Sequence, residues 1–351
     1  MSYIAKPKVA HPQLPKNDLG FTVRDYEGAM STLCAGCGHD SITSAIIQAA
    51  FEQSIPPHRL AKMSGIGCSS KTPAYFASAS HGINTVHGRM PAVATGANAA
   101  NPDLYYVGVS GDGDSLSIGL GQFLHAVRRN LNMVYVLENN GVYGLTKGQF
   151  SASADLGSKA KKGETNQQPP IDPVQTLVSL GATFVARSFS GDKEQLVPLI
   201  RAALAHRGFA FIDVISPCVT FNDHEGSTKS YTFTRKHAHV AMYADYVAPA
   251  KEIRAEYAAG AAMPVTLHDG SRIVLRKADG AYDPTDQAAA FSYLTKATAA
   301  GEIPTGLLYL KTGRPDMHEL ANTPDVPLAT MAWEKVCPGS ATLGKIQDRF
   351  R

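Results

Sequence analysis

No run of apolar residues in this 351-residue chain is long enough to span a bilayer. The N-terminal stretch is polar, sets lysines beside Pro7 and Pro15, and has none of the apolar core of an export signal. With membrane and export set aside, the cytoplasm is the expected compartment. Excess charge is also scarce. The formal net charge of +3 is too small to point to nucleic acid, although clustered positive charge would suit an acidic electron carrier. An even cysteine count is missing too. Cys34, Cys37, Cys68, Cys218 and Cys337 make five, which argues against a disulfide framework in a chain of this size. No internal repeat is visible. What remains is the composition of a soluble globular protein, 44% hydrophobic and 18% charged.

Residues 1–29 read as an arm, because Pro7, Pro12 and Pro15 interrupt any helix. From Asp40 to Phe51 the apolar spacing is helical, with Asp40 or Ser41 as cap. Gly65-Ile66-Gly67 is a turn, and Pro91 to Ala100 a tightly packed helix. Leu104 to Ser110 is a short apolar run, followed by a helical pattern from Leu116 to Arg129. A second apolar run covers Met133 to Leu137, and residues 150–171 form a long polar loop. Asp172-Pro173 reads as a helix cap with proline at the first helical position. Thr183–Ala186 and Ala210–Ile215 read as strands around a helix at Lys193–Ala205. Alternating strands and helices imply an open parallel sheet covered on both faces. Beyond residue 240 the pattern weakens. Asp269-Gly270 marks a hairpin between Val265–His268 and Ile273–Lys277, and Asp283-Pro284 starts a helix running from Thr285 to Ala299. Residues 30–240 are therefore expected to form the main domain, and residues 241–351 a C-terminal extension packing on a partner subunit.

The sequence GDGDS, Gly111 to Ser115, follows a strand and opens a helix. Open parallel sheets present ligands there, beyond the carboxyl ends of their strands. Glycines let the backbone approach phosphate oxygens. A bare diphosphate would repel Asp112, whereas a magnesium ion bridging it would recruit that carboxylate. Twenty-five residues separate Gly113 from Asn139-Asn140, which stand at the next strand end. GDGDS alone also suits an ordinary strand-to-helix turn. Paired with Asn-Asn at this distance it resembles the thiamine-diphosphate signature, in which the metal ligands would be Asp112, Asn140 and the carbonyl of Val142.

Cys34-Ala35-Gly36-Cys37, Cys68 and Cys218 offer four thiolates, which suit iron–sulfur clusters and zinc alike. Their wide spacing excludes a compact zinc finger, and each lies within two residues of Gly36, Gly38, Gly67 or Pro217. Cys337 is also followed by a proline, but it lies in the irregular tail without a cysteine partner and reads as structural or surface.

Together these residues resemble the β subunits of the 2-oxoacid:ferredoxin oxidoreductases, of the 2-oxoglutarate type. The motifs that carry the resemblance are CAGCGHD (34–40), GIGCSS (65–70), HGR (87–89), ANP (100–102), GDGDSLSIGLGQF (111–123), ENNGVYGLTKGQ (138–149) and ISPC ending at Cys218. It covers about residues 30 to 225. It implies an α/β fold, an open parallel sheet of the thiamine-diphosphate-binding type. It implies that Cys34, Cys37, Cys68 and Cys218 hold one 4Fe-4S cluster, and that Mg²⁺ sits on Asp112, Asn140 and Val142. Thiamine diphosphate would be lined by Ile66, Gly67, Cys68, Ser69, Gly111, Asp112, Gly113, Asp114, Asn140, Gly144, Leu145 and Thr146. His87 and Arg89 would neighbour cofactor or substrate.

The implied reaction converts a 2-oxoacid, coenzyme A and two oxidised ferredoxins into acyl-CoA, CO₂ and two reduced ferredoxins, reversibly in principle. The glutamate that activates the pyrimidine of thiamine has no domain to come from here. A partner α subunit is expected to supply it, in an α2β2 assembly. Lys147 stands where pyruvate enzymes of the family tend to have glycine. A cation there would pair with the distal carboxylate of 2-oxoglutarate, which favours that substrate over pyruvate. Two other readings compete. A clusterless thiamine enzyme leaves four cysteines unexplained, and a zinc-stabilised binding module leaves GDGDS with Asn139-Asn140 unexplained.

Overall fold

A computed structural model describes residues 11–160, 163–244, 262–266, 272–276 and 282–351. Along the chain run α1 (Gly38–Glu52), β1 (Leu60–Ser64), β2 (His81–Asn84), α2 (Met90–Ala100), β3 (Tyr105–Gly111), α3 (Leu120–Arg128) and β4 (Met133–Asn139). The two-residue strands β5 (Val142–Tyr143) and β6 (Gln149–Phe150) follow. Next come α4 (Pro173–Ser179), β7 (Phe184–Phe189), α5 (Lys193–Ala205), β8 (Phe209–Ile215), α6 (Tyr231–His237) and β9 (Ala238–Met242). The last third holds β10 (Ala262–Thr266), β11 (Arg272–Arg276), α7 (Gln287–Ala299), β12 (Ile303–Leu310), α8 (Met317–Ala321), α9 (Trp333–Val336) and α10 (Ser340–Gln347).

One eight-stranded sheet dominates, in the order β2-β1-β3-β4-β8-β7-β12-β9. The pairings from β2 through to β7 are parallel. Strand alternation explains the layers, because successive side chains point to opposite faces. In β4, Met133, Tyr135 and Leu137 join the core under α2, α3, α4 and α7, while Val134 and Val136 join the core under α1 and α5. β8 does the same with Phe209 and Phe211 on one face and Ala210, Ile212 and Val214 on the other. Phe123 of α3 locks the first face, with its ring centroid 4.8 Å from Tyr135 and 5.4 Å from Phe211. Such aromatic pairs add about 0.5–1.5 kcal/mol beyond area burial.

Four boundaries differ from the sequence reading. Helix α1 begins at Gly38 with Cys37 as its N-cap, not at Asp40 or Ser41. Tertiary contact decides this, since His39 is buried in the first turn with Nδ1 2.6 Å from Ser216 Oγ. The expected Leu116–Arg129 helix is split. Gly113–Ile118 forms a wide turn closed by Gly119 N–H on the Asp114 carbonyl at 2.9 Å, and α3 proper starts at Leu120. Helix α7 is capped by Asp286, which accepts from the Ala288 and Ala289 amides, rather than starting at Asp283-Pro284. Residues beyond 240 also return to the sheet. β12 pairs antiparallel with β7 and parallel with β9, and Tyr282, Ala290, Leu294, Leu308 and Met317 are buried in the main core.

The expected Asp172 cap is present, accepting from Val174 and Gln175 amides, and α5 has its expected bounds. β10 and β11 pair antiparallel as the hairpin reading requires, while Asp269-Gly270 lies outside the described residues. The arm ends by anchoring. Tyr26 is fully buried, and Asn17 Nδ2 donates to its hydroxyl at 2.9 Å. No helix among the described residues is long and apolar enough to cross a membrane.

Candidate active site

Because β1, β3, β4 and β8 run parallel, the segments that follow them emerge at one edge of the sheet. That edge therefore gathers Gly65–Ser69, Gly111–Ser115, Asn139–Val142 and Ser216–Cys218. Asp112 is buried, with 1% of its surface exposed, and its Oδ2 accepts from Gly141 N–H at 2.9 Å, from Ser153 Oγ at 2.6 Å and from Ser151 Oγ. The Gly141 bond draws the loop carrying Asn140 and Val142 onto Asp112. Asn140 is turned inward by Val142 N–H, which donates to its Oδ1 at 3.0 Å, and Asn222 Nδ2 donates to its carbonyl at 2.8 Å. Burial pushes the Asp112 carboxyl up, against the hydroxyls of Ser151 and Ser153 and the charge of Lys229. A buried carboxylate beside a buried amide oxygen is a hard-oxygen donor set, and a divalent cation there would offset the burial.

Asp114, expected to line the cofactor, turns its side chain to other partners. Its buried carboxylate faces the protein, accepting from Gly88 N–H at 2.7 Å, Ile66 N–H at 3.2 Å, Ser110 Oγ at 2.7 Å and His87 Nδ1. One carboxylate thus fastens the turn after β1 and the His-Gly turn to the end of β3. Gly65 is required here, since a Cβ would run into the Asp114 carboxylate. His87 is brought to the site by this bond, and its ring stands edge-on to Tyr143 with centroids 6.0 Å apart. Tyr143 donates its hydroxyl to the Gly113 carbonyl at 3.1 Å. Arg89 does not converge. Its guanidinium reaches Gln122 of α3 at 2.9 Å.

Ile66 is exposed, Gly67 and Cys68 half-buried, and Ser69 buried with its hydroxyl against Gly111. Beyond Gly144, Leu145 and Thr146 are exposed, and Thr146 Oγ1 lies 2.6 Å from Gln149 Oε1. Lys147 is exposed with φ +80°, a left-handed conformation that costs a side chain about 1–2 kcal/mol. A glycine would escape that cost.

The four cysteines approach one another from different loops. Cys34 and Cys37 precede α1, Cys68 follows β1 and Cys218 follows β8. A Cβ on Gly144 would stand 3.4 Å from Cys68 Sγ and 3.6 Å from Cys218 Sγ, so both sulfurs face the glycine of the 143–149 loop. Thr220 Oγ1 lies 3.6 Å from Cys34 Sγ. Burial pushes the Cys37 thiol up to about 12, with the charges of Glu138 and Cys218 adding to it, and raises Cys68 and Cys218 as well. No three His, Cys, Asp or Glu side chains stand at metal-binding spacing among the described residues. The donor set nevertheless fits an iron–sulfur group in kind, with four free thiols, two of which, Cys68 and Cys218, face a glycine that leaves room beside them. Cys337 is exposed on α9's C-terminal end, away from the others.

Sequence reasoning missed the residues behind this surface. Glu138 is fully buried, with Thr72 Oγ1 3.1 Å from both its oxygens and His39 Nδ1 3.6 Å away. Burial pushes Glu138 well up and His39 down to about 4. Ser151 and Ser153 read only as polar loop. Their one signal was a Ser-x-Ser spacing after the Asn-Asn motif, which lets two side chains on one side of an extended segment face Asp112.

The profile of the C-terminal TPP-binding domain of thiamine pyrophosphate enzymes matches residues 65–214. A 2-oxoacid:ferredoxin oxidoreductase subunit beta from Sulfolobus is 45% identical over 191 residues, covering 54% of this chain and 63% of the relative. A 2-oxoglutarate synthase subunit KorB from Methanocaldococcus jannaschii is 38% identical over 189 residues, with 54% and 69% covered. The matched region thus spans somewhat under two thirds of the Sulfolobus protein's length. Among solved structures, the 2-oxoglutarate:ferredoxin oxidoreductase from Magnetococcus marinus, with 2-oxoglutarate, coenzyme A and succinyl-CoA bound, superposes with a TM-score of 0.70 at 33% identity over 86% of this chain and 89% of that one. Parallel-sheet fold, motif order and relatives agree, and the chain belongs to the β subunits of the 2-oxoacid:ferredoxin oxidoreductases.

Proposed function

We propose that this chain carries the diphosphate half of a thiamine site and, with an α partner, catalyses CoA-dependent oxidative decarboxylation of 2-oxoglutarate to succinyl-CoA and CO₂, passing electrons to ferredoxin. One observation carries the reading. Asp112, the Asn140–Val142 loop and the Cys68 turn meet at one sheet edge, with Gly144 touching the site of the Cys68 and Cys218 sulfurs. Bound thiamine diphosphate would supply an electron sink for decarboxylation, and an adjacent 4Fe-4S cluster would supply one-electron acceptance.

The protein's part is positional. Asp112, Asn140 and the Val142 carbonyl would hold Mg²⁺. The Gly111–Asp114 backbone at the strand end would face the diphosphate. Cys34, Cys37, Cys68 and Cys218 would hold the cluster, and loading it would draw protons off thiols that burial keeps protonated. Cys68 belongs both to the cofactor-lining turn and to the cluster ligands, which keeps the electron path short. Lys147 is the residue we assign to the distal carboxylate of 2-oxoglutarate. Its place in a backbone conformation that favours glycine supports a role for the ammonium. The α subunit would add the pyrimidine-side glutamate, and an α2β2 assembly with the site between chains follows. The buried Glu138 is committed to Thr72 and His39 and does not take that role. Pyruvate is the alternative substrate.

Anaerobic co-purification with the α chain tests the whole reading. A brown protein bleached by dithionite is expected, holding iron, sulfide, Mg²⁺ and thiamine diphosphate, and most active on 2-oxoglutarate in a 2-oxoacid panel with ferredoxin. A colourless zinc protein would refute it.

A further inference from the structure

A chain of buried polar side chains leads away from Asp112 toward β8 and β7. Ser153 Oγ lies 2.6 Å from Asp112 Oδ2 and 2.8 Å from Asn139 Oδ1. Asn139 Nδ2 donates to Asp213 Oδ1 at 3.0 Å. Arg187 Nε donates to Asp213 Oδ2 at 2.8 Å, and its other arm reaches Asp172 Oδ1 at 2.8 Å. Asp112, Asn139, Ser153 and Asp213 are at most 2% exposed, and Arg187 is 7% exposed. Four strands neighbouring in the sheet contribute, β3 and β4 at their ends and β8 and β7 from within, together with the 150–171 loop.

The chain has one direction. A guanidinium only donates and a carboxylate only accepts. Arg187 therefore fixes Asp213 as acceptor, and Asp213 fixes the Asn139 amide with its NH₂ outward and its oxygen toward Ser153. Ser153 has a single hydroxyl proton and three acceptors within reach, Asp112 Oδ2, Asn139 Oδ1 and, at 3.3 Å, Ser151 Oγ. Which one it serves sets how much negative charge Asp112 retains for a cation. Replacing a buried ion pair by apolar residues of similar volume is often neutral or stabilising, so this pair is weak evidence for a purely stabilising role. Partners one bond behind a metal ligand orient it and tune its affinity.

We propose that Arg187 is a positioning residue for the metal end of the site, acting on Asp112 through Asp213, Asn139 and Ser153. The proposal rests on the reading that Asp112 binds Mg²⁺. Arg187 and Asp213 also line a cavity of 530 Å³ that reaches Ser153 and Asn139, so the relay joins the metal site to a second concave surface.

The test uses the assembled enzyme stripped of metal and thiamine diphosphate, with Mg²⁺ titrated by calorimetry at fixed thiamine diphosphate. Wild type must show Mg²⁺-dependent binding. If it does not, the reading of Asp112 fails, independently of the relay. Arg187→Lys keeps the charge and loses the fork, and, acting through four successive hydrogen bonds, is expected to raise the Mg²⁺ half-saturation about fivefold, below the effect of a partner bonded directly to the ligand. Ser153→Ala, which removes such a direct partner, should raise it about tenfold or more. In the Ser153→Ala background, Arg187→Lys should add less than about twofold, because the path is already cut. Should Arg187→Lys fold poorly, Asp172→Asn keeps the α4 cap, loosens only the outer anchor, and should raise half-saturation about threefold. A folded Arg187→Lys or Asp172→Asn enzyme with wild-type half-saturation overturns the proposal. So do Arg187→Lys and Ser153→Ala effects that multiply.

Discussion

Asp114→Asn removes one charge and almost no volume from the centre of the site. The carboxylate accepts from Ile66 N–H, Gly88 N–H, His87 and Ser110, and so holds against the end of β3 two turns that the proposal places beside the cofactor. A hydrogen bond to a charged group contributes about 1.5–3 kcal/mol, and one between neutral groups about 0.5–1.5 kcal/mol. With the amide oxygen kept toward Ile66, Gly88 and His87, each of three bonds weakens by about 1 kcal/mol, about 3 kcal/mol in all. The loss lowers the population of enzyme whose turns are in place before cofactor arrives. Apparent affinity scales with that population, so the thiamine diphosphate Kd should rise by up to about 100-fold. Calorimetric titration of the assembled apoenzyme at saturating Mg²⁺ measures it, beside kcat at saturating cofactor. The expected pattern is a large rise in Kd with kcat within a few-fold of wild type. An unchanged Kd in a folded protein would show that other contacts hold the turns. A collapse of kcat at unchanged Kd would place Asp114 against the reacting atoms instead.

Three further outcomes are expected. Lys147→Gly should relieve the left-handed strain, raise stability by about 1 kcal/mol in denaturant titration, and lower the 2-oxoglutarate to pyruvate activity ratio at least tenfold; an unchanged ratio sinks the assignment of this lysine. Cys218→Ser should lose most iron and sulfide in anaerobic analysis, whereas Cys337→Ser should keep both, and equal loss in the two would refute the ligand set. Burial holds His206 down to about 4 in the folded chain, against 6.5 for the free side chain, with its Nε2 2.9 Å from Thr183 Oγ1. The unfolded chain then binds the extra proton between those values, so stability present at neutral pH is lost as pH falls through that window. The loss from this group is about 2 kcal/mol between about pH 7.5 and about pH 5. His206→Gln should remove that share of the pH dependence in denaturation curves, and identical pH dependence in the two proteins would count against it.

The sheet was legible because parallel strands buried on both faces write themselves as apolar runs between turn residues, as at Met133–Leu137 and Ala210–Ile215. β12 escaped notice for a local reason. Pro304 and Gly306 interrupt its pattern, and the strand tolerates them through a register shift and a glycine at φ +94° packed on the Met242 carbonyl. Helix starts failed where a distant partner outweighed a local cap. Asp40 is a good capping residue, yet the bond from His39 to Ser216, 177 positions away, extends α1 to Gly38. The wide turn at Gly113–Ile118 was equally hidden, since the same residues read as the first turn of a helix.

The site divides along a similar line. Asp112, Asn140 and the four cysteines stand out in the sequence because the chemistry proposed for them demands particular side chains beside glycines or prolines, and such clusters survive in a one-dimensional reading. The residues that orient them do not. Arg187 and Asp213 lie inside strands whose alternation needs no special explanation, and Asn139 was visible only as the neighbour of Asn140. Their partners come from β7, β8 and the 150–171 loop, so nothing in the local sequence of any one of them implies the others. Asp114 shows the intermediate case. Its motif marked it as functional, and only the fold shows that its carboxylate is spent on the protein's own amides. Within one five-residue motif, Asp112 and Asp114 thus divide the work. The first faces the loop that brings Asn140, where the proposed cation would sit. The second holds the turns that shape the space around it. That division predicts different signatures for the two positions, metal half-saturation for Asp112 and cofactor Kd at saturating metal for Asp114.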